Sequence, residues 1–343
     1  MDERGRYTRD EILTQPAAWA AALDVLEAQR QDLASLGQGG YAQVIFTGCG
    51  STYYAALAAA ALLQDLSGVA ARGLPASELW LYPRSSFCPG KTLLIALSRS
   101  GETTETLQAC AAFADAGRGD LLTLSCYADR PLAGMGKWNI VLPSGQERSI
   151  AQTRAFTTLY LAAAWLAALW AGMDDLIQGM RRLEDRGSRL LARCAALASG
   201  LGRDEGFDRF YWLGSGPRYG LACEVSLKMK EMSLSHSEPF HFMEFRHGPK
   251  SMLTRSALVV GLRSSLQAER EAAVLKDAAA LGARVLMIAE DPQADVALES
   301  GLDEAIRNVL YLPVGQLIAF ERSLARGLDP DLPHHLDAVV RLT

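Results

Sequence analysis

The feature that most constrains this chain is an internal repeat. The apolar run Val44-Ile45-Phe46-Thr47 ends in Gly48-Cys49-Gly50 and an alanine-rich helical stretch, and Phe210-Tyr211-Trp212-Leu213 ends in Gly214-Ser215-Gly216 and another helix. A second run, Leu93 to Leu97, returns as Leu258 to Leu262. A third, Leu121 to Leu124, returns as Val285 to Ile288, and a fourth, Asn139 to Leu142, as Asn308 to Leu312. The first residues of these pairs lie 166, 165, 164 and 169 positions apart. Near-equal offsets in one order predict two copies of one unit. Within each copy, short and largely apolar strands alternate with helical segments, as in parallel sheets covered on both faces. With right-handed crossovers the expected fold class is α/β: two tandem three-layer αβα domains behind a helical N-terminal preface.

The expected division is a helical segment over 1–36, a first domain over 37–175, a polar helical connector over 176–204, and a second domain over 205–343. The preface starts at the capped stretch Tyr7-Thr8-Arg9-Asp10-Glu11 and breaks at Gln15-Pro16, while the residues from Gly327 onward read as an extended tail. A chain of 343 residues suits two domains, and 49% apolar with 21% charged residues excludes long disorder, collagen-like repeats and a coiled-coil rod. With 34 basic against 39 acidic residues there is no basic field for nucleic acid, so an anionic ligand must be held by a local pocket. The six cysteines are scattered, with no Cys-x-x-Cys pair, and read as reduced residues of a cytoplasmic protein. Met1 to Arg9 lacks the apolar region of a signal peptide. The apolar stretch Ala155 to Met173 approaches the ~20 residues of a membrane span, but it is isolated and alanine-rich and reads as a buried helix. No membrane partner is expected.

Ligands of such sheets sit outside the carboxyl ends of the strands. After the strand Leu93 to Leu97 comes Ser98-Arg99-Ser100-Gly101-Glu102-Thr103, which has three hydroxyls, a glycine and an arginine at a strand-to-helix turn. The free N–H groups of the next helical turn favour an anion, the hydroxyls add donors, and Arg99 offers a charged fork, so a phosphate cradle competes with a plain Ser/Thr cap. Gly48-Cys49-Gly50-Ser51-Thr52 opens as G-x-G but lacks the third glycine of a dinucleotide fingerprint. It suits a tight turn presenting Gly50, Ser51 and Thr52 to a small ligand. Farther on, Glu224, Lys228 and Glu231 share one helical face beside the apolar stripe Ala222, Val225, Met229 and Met232. They are either an exposed ion-pair ladder or a pocket in which two carboxylates take acid and base tasks. His247, followed by Gly248-Pro249, sits on a turn from which its ring can move protons, or simply faces solvent. His236, His241 and His247 lack metal-pair spacing, no cysteine lies near them, and no metal is expected. His334 and His335 read as solvent-facing tail residues.

In this order (strand–GCGST–helix, strand–SRSGET–helix, SIAQTRAFTT, strand–GSG–helix with EVSLKMKE, then EFRHGP) the chain resembles the double sugar isomerase (SIS) domain proteins, among them the isomerase half of glucosamine-6-phosphate synthase. YTRDEILTQPAAW and FRHGPKS resemble the tagatose-6-phosphate aldose/ketose isomerase group, which includes amino-sugar-phosphate deaminases. The similarity runs from about Tyr7 to near Pro333. It implies that Ser98, Arg99, Ser100 and Thr103 hold a sugar phosphate with help from Thr52, and that Ile150 and Gln152 line the sugar site. It further implies that Glu231 carries the C1–C2 proton, that Lys228 and Glu224 are its charged neighbours, and that His247 opens the ring from a second subunit of a homodimer. The implied activity is aldose–ketose isomerisation or deamination of a hexose or hexosamine 6-phosphate, without metal or redox cofactor. A fructosamine-phosphate deglycase, a regulatory module that binds the sugar phosphate without chemistry, and a purely structural scaffold are the alternatives. Two departures stand out. The sequence has no glutaminase domain with a cysteine nucleophile, so glutamine is not expected as its ammonia source. Ala338 stands where the synthase tail has a lysine that meets the sugar carbonyl.

Overall fold

The structure, a computed structural model, describes residues 4–340. These form two compact units, one made of residues 14–147, 154–182 and 337–340, the other of 4–13, 148–153 and 183–336.

In the first unit, strands β1 (Gln43–Gly48), β2 (Ala71–Pro75), β3 (Thr92–Ser98), β4 (Gly119–Ser125) and β5 (Trp138–Val141) pair in parallel in the order β2-β1-β3-β4-β5. β1 and β3 are buried along their whole length, which is why they read as unbroken apolar runs. β2 escaped the sequence reading because Ala-Arg-Gly-Leu-Pro is a half-buried edge strand without an apolar run. The stretch that approached membrane length is the helix Arg154–Trp170, with every residue from Ala155 to Ala168 buried. Among the described residues, no helix is long and apolar enough to cross a membrane. The helix Gln15–Ala28 packs on it, and buried Trp19 donates through Nε1 to Thr157 Oγ1 (2.9 Å), whose hydroxyl donates to Gln15 Oε1 (2.9 Å).

The second unit repeats the winding. β6 (Arg209–Leu213), β7 (His236–Phe240), β8 (Ala257–Leu262), β9 (Arg284–Ala289) and β10 (Val296–Ala297) lie parallel in the order β10-β9-β8-β6-β7, the same topology read from the other edge. Helices flank each sheet in a three-layer α/β arrangement. The N-terminal helix Arg6–Leu13 packs on the helix Tyr311–Ala325 of this unit. The Asp331 carboxylate accepts from Tyr7 N (3.0 Å), Thr8 N (2.7 Å) and Thr8 Oγ1 (2.7 Å), which fixes that helix from the tail.

One sequence expectation is corrected here. Asn308 to Leu312 is not the fourth strand of the second copy. Asn308–Leu310 is a 3-10 turn running into the helix Tyr311–Ala325, and the short β10 takes the sheet position instead. The cause is burial: almost every residue of that helix is inside, so its sequence shows an apolar run without helical periodicity.

Candidate active site

In a 2-1-3-4-5 sheet the strand order reverses between the first and third strands, so the loops after β1 and β3, and after β6 and β8, face the ligand crevice of their own unit.

After β1, the backbone folds so tightly that a Cβ on Gly48 would stand 2.5 Å from Thr52 Oγ1. Gly50 takes φ +54°, the left-handed region in which glycine is at ease. The buried Thr52 hydroxyl accepts from Cys49 N and donates to Cys49 O, both at 2.9 Å, so it shapes the turn. After β3, Ser98 Oγ accepts from Gly101 N (3.1 Å) and lies 3.2 Å from Thr103 Oγ1, while Ser100 Oγ accepts from Glu102 N (3.2 Å). Gly101, at φ +67°, makes this turn possible. Three hydroxyls thus lie in one loop at the amino end of the helix Thr104–Asp115, where unsatisfied N–H groups favour an anion. Arg99 points elsewhere. It is 7% exposed, pairs with Glu147 (3.4 Å), and donates to Ala338 O (2.9 Å). Thr104 N also faces Val340 O at 3.5 Å, so the tail segment from Ala338 to Val340 crosses the start of this helix.

In the second unit, Gly216 at φ +57° opens the helix Pro217–Ser233 as Gly50 opens the helix Ser51–Ser67. Ala222, Val225, Met229 and Met232 are buried, as the stripe predicts. The charged face is buried too. Glu224 and Lys228 are 0% exposed, which excludes the exposed ladder, and Glu231 is 18% exposed. Lys228 Nζ stands 3.3 Å from Glu224 Oε1 and donates to Glu231 Oε2. Burial alone pulls the Lys228 pKa down, but the two carboxylates outweigh it and hold the ammonium above its ordinary value. The lysine is therefore a fixed cation.

His247 is exposed on the turn after the helix Phe242–Phe245, with its backbone N donating to Glu244 O (2.9 Å). Ile150 N donates to Asp331 O (3.1 Å). Gln152, two residues on, has a buried side-chain oxygen with no hydrogen-bond partner. The buried Glu11 carboxylate, which the sequence reading passed over, holds this segment by accepting from Arg148 N (2.6 Å) and Ser149 N (3.2 Å). His241 lies against Tyr219 at 3.8 Å between ring centroids. Desolvation holds its pKa below the ordinary value against the pull of Glu244. His334 and His335 are exposed. Burial pushes the thiol pKa values of Cys110 and Cys223 up to about 12 and that of Cys194 to about 11, so these cysteines are not poised as nucleophiles. Among the described residues, no three His, Cys, Asp or Glu side chains gather as a metal site.

Residues 41–169 and 207–318 match the SIS domain family, well over half of the chain. The glutamine–fructose-6-phosphate aminotransferase (isomerizing) of Symbiobacterium thermophilum is 28% identical over 86% of this chain and 51% of its own length. The protein of the same name from Thermococcus kodakarensis is 27% identical over 98% of this chain and 58% of its own length. The chain thus spans about half the length of the curated relatives it matches. Two solved structures share the fold. Glucosamine-6-phosphate deaminase from Thermotoga maritima has a TM-score of 0.79 at 24% identity, covering 94% of this chain and 100% of that one. Tagatose-6-phosphate ketose/aldose isomerase from Escherichia coli has a TM-score of 0.85 at 24% identity, covering 95% of this chain and 94% of that one.

Proposed function

The chain belongs to the SIS domain family, and from that premise we propose that it is a phosphosugar aldose–ketose isomerase or amino-sugar-phosphate deaminase. Its substrate is a hexose or hexosamine 6-phosphate, processed through an enediol or enolamine. The observation that carries this reading is the fully buried Lys228 between Glu224 and Glu231. A buried ion pair is an expensive way to stabilise a helix, since apolar residues of similar size do as well or better. It makes sense where a carboxylate must be held for chemistry. Glu224 holds Lys228, Lys228 holds Glu231, and Glu231 is the partly exposed member that moves hydrogen between C1 and C2. The Ser98–Thr103 loop takes the phosphate, anchoring the substrate away from the reacting carbons so that binding energy is used for positioning. The unpartnered oxygen of Gln152 accepts from a sugar hydroxyl.

His247 moves the ring-oxygen proton, and its exposed turn suits donation from a second copy in a homodimer. On that reading, His247→Asn and Glu231→Gln are each inactive alone, and mixing them with verified subunit exchange restores up to about half of normal activity per heterodimer. A monomeric mass in solution, or no recovery after exchange, defeats it.

The central test is NMR in D₂O with hexose 6-phosphates and glucosamine 6-phosphate. Exchange at C1 or C2 is expected, and it should vanish in Glu231→Gln with ligand binding retained. Turnover of that variant within roughly threefold of the parent would sink the assignment. A sensor without catalysis is the second reading, favoured by Ala338, which has no amine and whose carbonyl accepts from Arg99. Its signature is a thermal shift with each sugar phosphate and no exchange.

A further inference from the structure

The loop after β8 is the counterpart of the loop after β3. Ala96 pairs with Thr47 and Gly261 with Leu213, so Leu262-Arg263-Ser264-Ser265 stands where the first unit has Leu97-Ser98-Arg99-Ser100. In the first unit the loop hydroxyls bond within the loop, and no carboxylate accepts from Ser98, Ser100 or Thr103 among the described residues. In the second, Glu271 accepts from Ser264 N (2.6 Å), and a second carboxylate, Glu304, takes further donors of the loop and of its neighbours. Glu304 Oε1 accepts from Ser264 Oγ (2.6 Å) and Arg218 Nη1 (2.5 Å), and Glu304 Oε2 accepts from Ser265 N (2.7 Å) and Arg307 Nη2 (3.0 Å). Ser264, Arg218 and Arg307 are 1%, 5% and 5% exposed, so this is a built and enclosed donor set.

Two guanidinium groups, a hydroxyl and a backbone N–H converging before the helix Ala268–Ala280 are the donors an oxyanion needs. We propose that the second unit carries a phosphate seat of the same origin as the Ser98–Thr103 loop, and that the Glu304 carboxylate fills it as a permanent internal anion. The seat is thereby closed to phosphorylated ligands, and each chain is left with one open cradle. Removing the carboxylate should open an oxyanion site that the parent lacks. Burial pushes the Glu304 pKa up, but Arg218, Ser264 and Ser265 more than reverse this, so the group stays ionised in its place. This inference stands apart from the proposed catalysis, because it concerns only the second unit and needs no turnover.

The test uses the full chain carrying Ser100→Ala and Thr103→Ala, so that the first loop does not contribute, with inorganic phosphate as probe. In that background Glu304→Ala should melt lower in phosphate-free buffer and rise by about 5 °C or more as phosphate saturates, while the chain retaining Glu304 stays nearly flat. An equal response of the two overturns the proposal. Should Glu304→Ala yield no folded protein in plain buffer, refolding in phosphate decides: recovery supports the seat, and failure in both buffers overturns it. Glu304→Gln keeps the shape and removes the charge. It should melt clearly below its parent, and a variant as stable as the parent shows that the seat does not demand an anion.

Discussion

The two units started from one plan and diverged in opposite directions. The helices Ser51–Ser67 and Pro217–Ser233 are both 17 residues long, both follow a left-handed glycine, and correspond residue for residue. Where the second has Glu224, Lys228 and Glu231, the first has Ala58, Leu62 and Asp65. Ala58 and Leu62 are buried hydrophobics of an ordinary core, whereas Glu224 and Lys228 are buried charges. The loops show the reverse. The hydroxyls after β3 of the first unit bond within their own loop, whereas the equivalent loop of the second unit bonds Glu304. The first unit combines a hydroxyl loop with an apolar helix, and the second combines a charged helix with a loop bonded to Glu304. Every part of that contrast can be attacked by making one unit more like the other.

The largest effect should come from Lys228→Leu, which installs the residue found at Leu62. It leaves Glu224 buried without its cation and should cost about 3–5 kcal/mol of stability. The double variant Glu224→Ala/Lys228→Leu reproduces the first unit's pair and should regain most of that loss while remaining inactive. Chemical denaturation of the three proteins checks this. A single variant as stable as the parent would mean that the ion pair is not electrostatically coupled.

Next in size is the acid limb of stability. The folded pKa of Glu304 lies below its ordinary value, so its contribution is complete above the unfolded carboxylate range and is lost as pH falls through the lower folded value. Glu271 acts in the opposite sense. Its carboxylate accepts from Ser264 N (2.6 Å), yet burial raises its pKa, so protonation below that value favours the folded chain. The parent should therefore lose more stability than Glu304→Ala between about pH 5 and 3, by roughly one charge-assisted hydrogen bond, about 1.5–3 kcal/mol. Parallel acid-denaturation curves for the two proteins would contradict it.

The third contrast sets loop against loop. Ser100→Ala/Thr103→Ala removes two donors to a charged ligand and should weaken glucose 6-phosphate binding by at least about tenfold, with melting nearly unchanged. Ser264→Ala/Ser265→Ala should do the opposite, lowering the melting temperature and leaving affinity alone, because the Ser264 hydroxyl donates to Glu304 and the Ser265 hydroxyl accepts from Arg307. Titration calorimetry and melting curves on both variants distinguish the loops. If affinity falls in the second variant, the assignment of roles is reversed.

Much of this division was legible in the sequence, and the repeat offset was the reason. It placed the strand pairs β1/β6, β3/β8 and β4/β9, the glycine turns, and the hydroxyl loop at a strand-to-helix junction. Amphipathic spacing gave the face shared by Glu224, Lys228 and Glu231, but spacing says which side chains are neighbours and not whether water reaches them. The helix Tyr311–Ala325, nearly ninety residues later in the chain, packs on this helix, with Gly315 facing Val225 of the apolar stripe, and no spacing rule reaches that far. The same distance problem hid Glu147 and Glu304, whose partners Arg99 and Ser264 lie 48 and 40 residues away. For Glu304 a signal did exist. The offset that matched Leu93 with Leu258 also places Arg263-Ser264-Ser265 opposite Ser98-Arg99-Ser100. The false fourth strand shows the limit of the method, since a fully buried helix and a buried strand have the same apolar sequence.

The smallest expected effect concerns the turn that keeps the first loop open. Gly101 holds φ +67°, and an added Cβ would lie 2.9 Å from the Arg130 Cβ, so Gly101→Ala meets both backbone strain and a side-chain neighbour that must shift. The guanidinium end of Arg130 is 39% exposed and pairs with Glu102 at 2.8 Å, but its Cβ moves only with the backbone, so the loop itself must shift. The cost should be about 1 kcal/mol, with a modest loss of phosphate affinity as the Ser98 and Thr103 hydroxyls shift. The matching position in the second unit is Leu266, which is 77% exposed and is absent from the left-handed region. Leu266→Ala should change stability by no more than about 0.5 kcal/mol. Denaturation midpoints for the pair, measured together, isolate what the left-handed turn contributes. If Gly101→Ala is as benign as Leu266→Ala, the hydroxyls are arranged by the helix Thr104–Asp115 alone, and the glycine is not what separates the open loop from the filled one.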